Sequence, residues 1–210
     1  MDMHIGRLMD YLKEIGEFEN TIFVFTSDNG AEGSNLIGVN GQAALGMGNW
    51  FDRVGYNSDI ETLGEANSFN AIGPNNATIA ASPLAYYKFY ASEGGLRVPL
   101  VMSGPGISKQ NEKTDEFVFV TDLTPTILSL VDLEKHDGNW KGDSIEEIIG
   151  TDFSQFLQGS ESDIHSDSQA IGYELGGNRA LFKGDYKLVF NRSAINDQKW
   201  HLFNIKIDPG

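Results

Sequence analysis

The 210-residue chain contains no cysteine. That removes disulfides, thiolate metal sites and cysteine nucleophiles together, and it leaves the redox compartment undetermined. Positive charge is scarce: 15 Lys and Arg stand against 30 Asp and Glu, a formal net charge of −15. Nucleic acid and anionic membrane surfaces both require a cationic face, so neither is expected as the main partner. An acidic chain that binds an anion must build a local positive site from a metal ion, Lys or Arg. Long apolar runs are missing as well. The N-terminus, MDMHIGRLMDYLKEIG, has neither the apolar run nor the small-residue cleavage site of a secretory signal, and no later stretch is long enough to cross a bilayer. Localisation stays open. Asn76-Ala77-Thr78 and Asn191-Arg192-Ser193 match the N-glycosylation pattern, but without a secretory signal so short a motif reads as incidental.

What remains is a globular composition, 40% hydrophobic and 11% aromatic, long enough to bury one substantial core or one large and one small core. Ile5, Leu8, Met9, Leu12 and Ile15 recur at helical spacing and Gly16 is placed to end the turn, so residues 3–15 are expected as a helix. Thr21 to Phe25 is β-branched and aromatic without alternation, the pattern of a strand buried on both faces. Helix into buried strand points to an α/β class. From Ser34 to about Ser82 the chain is rich in Gly, Asn and small residues with no strong period, a long irregular connection. Order returns with a turn at Glu93-Gly94-Gly95 and a short strand from Val98 to Met102, with Pro99 confined to the strand's start or an edge. Phe117 to Val120 reads as another strand, Thr124-Pro125 as the capped start of a helix, and Ser144 to Ile149 as a further helix. Ala180-Leu181-Phe182, Tyr186 to Phe190 and Trp200 to Ile205 read as a three-run antiparallel meander. A boundary is expected near residues 135 to 165, giving an α/β part at 1–135 and a C-terminal part at 136–210.

The stretch TIFVFTSDNGAEG, residues 21 to 33, carries the first chemical signal. Asp28 and Asn29 converge on one ligand only if the chain leaves the strand there, which Gly30 permits. A carboxylate and an amide carbonyl are the oxygen donors that hard cations such as Ca²⁺ or Mg²⁺ select, and strand ends in open α/β sheets are where ligands sit. The bland alternative is a tight Asn-Gly turn, although residues 31 to 45 show no returning strand. Lys88, among Tyr86, Tyr87, Phe89 and Tyr90, reads on composition alone as a side chain snorkelling over apolar surface.

Several of these segments together resemble the sulfatases of the alkaline-phosphatase-like superfamily. Phe25-Thr26-Ser27-Asp28-Asn29-Gly30-Ala31 resembles their metal-binding segment, and the helix through Leu8-Met9-Asp10-Tyr11-Leu12 resembles the helix before it. Lys88-Phe89-Tyr90-Ala91-Ser92-Glu93-Gly94-Gly95-Leu96-Arg97-Val98-Pro99 is similar to the family's lysine followed by Glu-Gly-Gly, an apolar residue, Arg and Pro. Thr121-Asp122-Leu123-Thr124-Pro125 is similar to a structural helix start. Gly184-Asp185-Tyr186-Lys187-Leu188 and Trp200 to Asn204 resemble the closing antiparallel sheet. These pieces run in the family's order over nearly the whole chain.

The resemblance implies a partial alkaline-phosphatase-like mixed sheet flanked by helices, with a small C-terminal antiparallel subdomain. It implies Asp28 and Asn29 as ligands of Ca²⁺ (or Mg²⁺), Lys88 as a contact of the sulfate or its leaving oxygen, and a sulfate ester as substrate. Glu93 and Arg97 are expected to shape the turn, with little contribution from an exposed ion pair between them. The family's formylglycine nucleophile arises from Cys or Ser in Cys/Ser-x-Pro-x-Arg. Ser103-Gly104-Pro105-Gly106-Ile107 ends in Ile where Arg is required, so formylglycine is excluded from this chain. The family's early acidic pair and assisting histidines are also unmatched: His4, His136, His165 and His201 fit none of them. The expectations are therefore weak cation binding, an isolated chain without sulfatase activity, and an uncovered core face that takes a second copy or an N-terminal sulfatase partner. Two alternatives stand beside this: a non-catalytic interaction module, and a phosphonate or phosphodiester hydrolase with the same metal-site layout. Family members are often periplasmic or secreted.

Overall fold

The structure, a computed structural model, describes residues 1–34, 50, 53–109, 111–192 and 197–209. Its helices are α1 (Asp2–Glu14), α2 (Gly73–Ala81), α3 (Glu93–Leu96), α4 (Leu123–Leu130) and α5 (Ser154–Leu157). Its strands are β1 (Phe23–Thr26), β2 (Leu100–Ser103), β3 (Asn139–Trp140), β4 (Asp143–Ser144), β5 (Ala170–Leu175), β6 (Asn178–Lys183), β7 (Tyr186–Phe190) and β8 (Trp200–Asn204). These make two compact units, each from two stretches of chain: Met1–Thr26 with Pro99–Gln169, and Ser27–Val98 with Ala170–Gly210. Among the described residues no helix is long and apolar enough to cross a membrane.

In the first unit α1 stops where the sequence says it should. Gly16 adopts φ +78°, its N–H donates to Lys13 O and the N–H of Glu17 donates to Leu12 O, the paired bonds that close a helix around a left-handed glycine. β1 and β2 pair antiparallel, Phe23 opposite Ser103 and Thr26 opposite Leu100. Pro99 directly precedes β2, so its missing N–H falls outside the ladder. The expectation that the first strand is buried on both faces is not met. Val24, Phe25 and Thr26 are exposed, because β2 is the strand's sole ladder neighbour among the described residues. Gly104, at φ +131°, ends β2 where a Cβ would sit 2.5 Å from Thr21 O, so the Ser-Gly-Pro-Gly stretch is a turn closed against the approach to β1.

The core of this unit is Phe153, Phe156 and Ile164, with Leu100, Met102, Val118, Leu123 and Leu157 packed on it. Among the described residues Phe117 to Val120 forms no strand; it leads into a 3₁₀ turn at Val120–Asp122. Asp122, not Thr124, caps α4, and it is almost wholly buried. Its carboxylate accepts from Phe119 N (2.7 Å), Thr151 N (2.8 Å) and His165 Nε2 (2.8 Å). Thr126 Oγ1 then donates to Asp122 O and accepts from Phe153 N, tying the cap to the aromatic core. His165 is thereby a structural histidine. Ser144 to Ile149 is not helical: Lys141 and Gly142 both take positive φ and fold β3 onto β4 as a tight hairpin, a turn chemistry that overrides the apolar spacing.

The second unit is organised on a four-stranded antiparallel sheet in the order β5-β6-β7-β8. The meander expected as three runs has this extra first strand, Ala170–Leu175, whose Gly172 and flanking polar residues conceal it in the sequence. Gly184 supplies the tight turn between β6 and β7 at φ +53°. Ala180, Phe182, Lys187 and Val189 are buried, the alternation of a sheet with one covered face. Within the stretch read as irregular, residues 35–49 and 51–52 lie outside the described residues, as does Ser193 of the second glycosylation pattern. The remainder of that stretch contains a 3₁₀ turn at Ile60–Thr62 and the helix α2. This helix shows little period because only Gly73 and Ala77 are buried in it.

The Asp122 network yields a stability prediction. Asp122→Ala leaves three donors without their acceptor and should destabilise the chain by about 3–5 kcal/mol, read as a fall in the urea midpoint, whereas the exposed Asp10→Ala should stay within about 0.5 kcal/mol.

Candidate functional site

Asp28, Asn29 and Lys88 all belong to the second unit. β1 ends at Thr26, and the chain then turns sharply: Ser27 Oγ donates to Asn29 O, and Asn29 Nδ2 donates to Gly30 O. Asn29 thus spends its amide N–H on its own turn, and its amide oxygen has no hydrogen-bond partner among the described residues. The Asp28 carboxylate is exposed and likewise accepts no hydrogen bond among the described residues. Both groups are hard oxygen donors of the kind Ca²⁺ or Mg²⁺ takes. They are only part of such a shell, since Ca²⁺ uses about 6–8 oxygens and the described residues hold no group of three or more His, Asp or Glu placed to bind a metal.

The lysine segment lies against this turn by backbone contact. Gly30 N donates to Gly95 O and Lys88 N donates to Ala31 O, each at 2.9 Å. The approach is closer than side chains allow. A Cβ on Gly30 would run into the carbonyl of Gly94, one on Gly94 into the carbonyls of Ala85 and Tyr86, and one on Gly33 into the Tyr87 ring. Glycine at 30 lets the turn approach Gly94, and glycine at 94 lets the lysine segment fold back on its own Ala85 and Tyr86 carbonyls. Tyr86 and Phe89, which bracket Tyr87 and Lys88, hold positive φ of +64° and +80°, a backbone state that costs of order 1–3 kcal/mol each and persists only when surroundings impose it.

The Lys88 side chain does not simply lie over apolar surface. Its Nζ is 2.7 Å from Glu32 Oε2 and 5.3 Å from the Phe89 ring centroid. The bond to Glu32 holds the ammonium above the ordinary lysine range against partial desolvation, with the Asp28 carboxylate adding attraction at longer range. Burial pushes the Glu32 carboxyl up, but bonds from Lys88 and Ser34 outweigh it and leave it below the usual carboxylate range. Sequence reasoning assigns Glu32 no role. Its one available signal is its place two residues past Gly30 in the segment that carries Asp28.

The surroundings that hold the lysine segment are supplied by the four-stranded sheet. Lys187 Nζ donates to Glu93 Oε1 at 2.7 Å, both side chains nearly inaccessible to solvent. Asn191 accepts from Ala91 N and donates to Ser92 Oγ, each at 2.8 Å, and Asn178 Nδ2 donates to Phe89 O at 2.8 Å. Desolvation lowers the Lys187 ammonium below its ordinary range despite the attraction of Glu93. Arg97, read from the sequence as shaping the turn with Glu93, makes only a long approach to it. Arg97 Nη1 stands 3.9 Å from Glu93 Oε2, and the buried partner of Glu93 is Lys187.

Known proteins are similar to this chain in sequence and in fold. The sequence profile of the family described as Sulfatase matches residues 1–133. An uncharacterized sulfatase of Schizosaccharomyces pombe is 36% identical over 211 residues, covering 100% of this chain and 37% of the relative. An arylsulfatase of Klebsiella aerogenes is 30% identical over 135 residues, 64% of this chain and 28% of the relative. The chain spans about a third of the length of the curated relatives it matches. Among solved structures, a protein in complex with its substrate D-glucosamine-2-N,6-O-disulfate aligns with TM-score 0.57 at 22% identity, covering 99% of this chain and 32% of that one. Ps i-CgsB in complex with k-i-k-neocarrahexaose aligns with TM-score 0.59 at 23% identity, covering 99% and 35%. These likenesses place the fold in the alkaline-phosphatase-like class.

Two measurements probe the interlocked segments. Gly94→Ala should destabilise the chain by about 1–3 kcal/mol or more, because backbone carbonyls cannot move aside as side chains do. Lys187→Met takes from the buried Glu93 its 2.7 Å partner, leaving Arg97 at 3.9 Å, and should cost about 3–5 kcal/mol, with much of that recovered in Glu93→Leu/Lys187→Met. The pH dependence has a definite sign. Between the lowered folded value of Lys187 and the ordinary lysine range, the unfolded chain binds the extra proton, so this residue makes stability rise with pH across that window. The difference between wild-type and Lys187→Met denaturation curves should show that slope.

Proposed function

Because this chain belongs to the sulfatase family, whose members are sulfuric ester hydrolases, we propose that it carries the cation-binding and lysine side of a sulfate-ester site. Asp28 and Asn29 are the oxygen donors to a divalent cation, Ca²⁺ or Mg²⁺, and Lys88 is the ammonium that meets the sulfate group or its leaving oxygen. The single observation that carries this is the docking of the Asp28-Asn29-Gly30 turn on the Lys88 to Gly95 segment through Gly30 N to Gly95 O and Lys88 N to Ala31 O.

The chemistry follows from charge. Cleaving the S–O bond of a sulfate ester builds negative charge on the departing oxygen, and groups fixed in place beforehand stabilise it without reorganising. A bound divalent cation would supply electrostatic stabilisation of the sulfate oxygens. Lys88 keeps its proton well past neutral pH, so it presents a full positive charge and N–H donors in a strongly acidic chain. Asn29 commits its amide N–H to Gly30 O, which leaves its amide oxygen available as a donor to a cation.

No group in the chain fills the nucleophile's role, since cysteine is absent and Ser103 lacks the arginine of the formylglycine motif. Residues 1–210 alone are therefore inactive in this reading, and turnover requires groups outside them. Purified chain should release no p-nitrophenol from p-nitrophenyl sulfate with Ca²⁺ present, and calorimetric titration should give weak Ca²⁺ binding that Asp28→Ala removes. Turnover that Lys88→Ala abolishes, or Ca²⁺ binding indifferent to Asp28→Ala, would overturn it.

A second reading, an assembly module without catalysis, draws on the exposed cross-strand pair Phe25 and Val101 of the β1–β2 ladder, with Val24 exposed on the opposite face, apolar side chains on a short two-stranded ladder of the sort that pairs with another chain. Size-exclusion chromatography with light scattering distinguishes it, since a monodisperse monomer at about 23 kDa counts against assembly through that surface.

A further inference from the structure

The site reading leaves Glu32 without a role, although its carboxylate makes the shortest contact to the Lys88 ammonium, 2.7 Å. The other carboxylate oxygen is not idle: Glu32 Oε1 accepts from Ser34 N at 2.9 Å and Ser34 Oγ at 2.6 Å. One oxygen is thus anchored to its own turn and the other is presented to Lys88. A carboxylate oxygen and a sulfate oxygen compete for the same ammonium protons, because both are anionic acceptors that bond best at this distance. The pair is partly open to solvent, 31% for Lys88 and 39% for Glu32, so an incoming anion can reach the ammonium.

We propose that Glu32 is a clasp on the sulfate-contacting lysine: its anchored carboxylate holds the Lys88 ammonium in the absence of an anion, and a sulfate group must displace it to bind. The inference rests on the assignment of Lys88 above. It adds a residue that sets the threshold for anion binding, and it favours an anion held simultaneously by a neighbouring cation, as a sulfate ester would be, over a singly held anion such as chloride. The clasp also explains why a lysine whose function is to meet an anion does not swing freely over the aromatic residues beside it.

The test is a titration of the isotopically labelled chain with sodium sulfate at constant ionic strength, followed by amide shifts of residues 28–32 and 86–90. Glu32→Gln keeps an oxygen for Ser34 and removes the charge facing Lys88. Glu32→Asp keeps the charge but is one methylene too short to span both contacts. Both should bind sulfate roughly 2- to 5-fold more tightly than wild type, the worth of a partly exposed ion pair, while Lys88→Ala should weaken binding at least about 10-fold, the loss of a charged hydrogen bond. Tighter binding in Glu32→Gln with Glu32→Asp at the wild-type value would mean simple charge repulsion and overturn the clasp. Unchanged or weaker binding in both Glu32 variants, with Lys88→Ala still impaired, would overturn the clasp and leave the Lys88 assignment standing. Sulfate binding that is undetectable, or indifferent to Lys88→Ala, would overturn that assignment and the clasp with it.

Discussion

The candidate site depends on two stretches of backbone lying closer together than any side chain permits. Gly30 meets the other stretch where a methyl group on it would strike the Gly94 carbonyl, and the hydrogen bond from Gly30 to Gly95 closes the contact. Backbone-to-backbone docking is stiff, because neither partner has a rotamer to yield. Asp28 and Asn29 on one side and Lys88 on the other are each within a few residues of that contact. The backbones that carry them are therefore held together by peptide geometry, with Lys88 N bonded to Ala31 O as a second tie.

Such a contact is held from behind. The four-stranded sheet and the residue just past β7 send three side chains, Asn178, Lys187 and Asn191, to the segment from Phe89 to Glu93. A buried ion pair is weak evidence for stability, since desolvating two charges consumes much of their attraction. Its value here is in register. Glu93 and Lys187 satisfy each other in one arrangement only, and sliding the helix start by one residue would bury a lone carboxylate. The C-terminal sheet of this family member is in that sense part of the site, although none of its residues belongs to the proposed cation or sulfate contacts.

The first unit uses the same device at a different place. Asp122 gathers Phe119, Thr151 and His165, joining a turn, a loop and a distant histidine through one buried carboxylate. In each unit a single acid binds together stretches far apart in sequence, which suits a chain with twice as many acidic as basic residues and no disulfide to do that work.

The residues whose chemistry is constrained locally were legible from the sequence. Gly16 ends α1, Pro99 sits just before β2, and the Asp-Asn-Gly turn and the lysine with its Glu-Gly-Gly run stand out because few residue types tolerate those geometries. The family and its alkaline-phosphatase-like fold followed from the order of such pieces. What the tertiary structure alone decided was the pairing of charges. Glu32 with Lys88, Glu93 with Lys187 and Asp122 with His165 span separations from tens of residues to nearly a hundred, and an ion pair leaves no periodic mark in a sequence. Burial was also beyond local reach: β1 has the composition of a fully covered strand, yet coverage depends on which neighbours are present, and composition records only the demand for them.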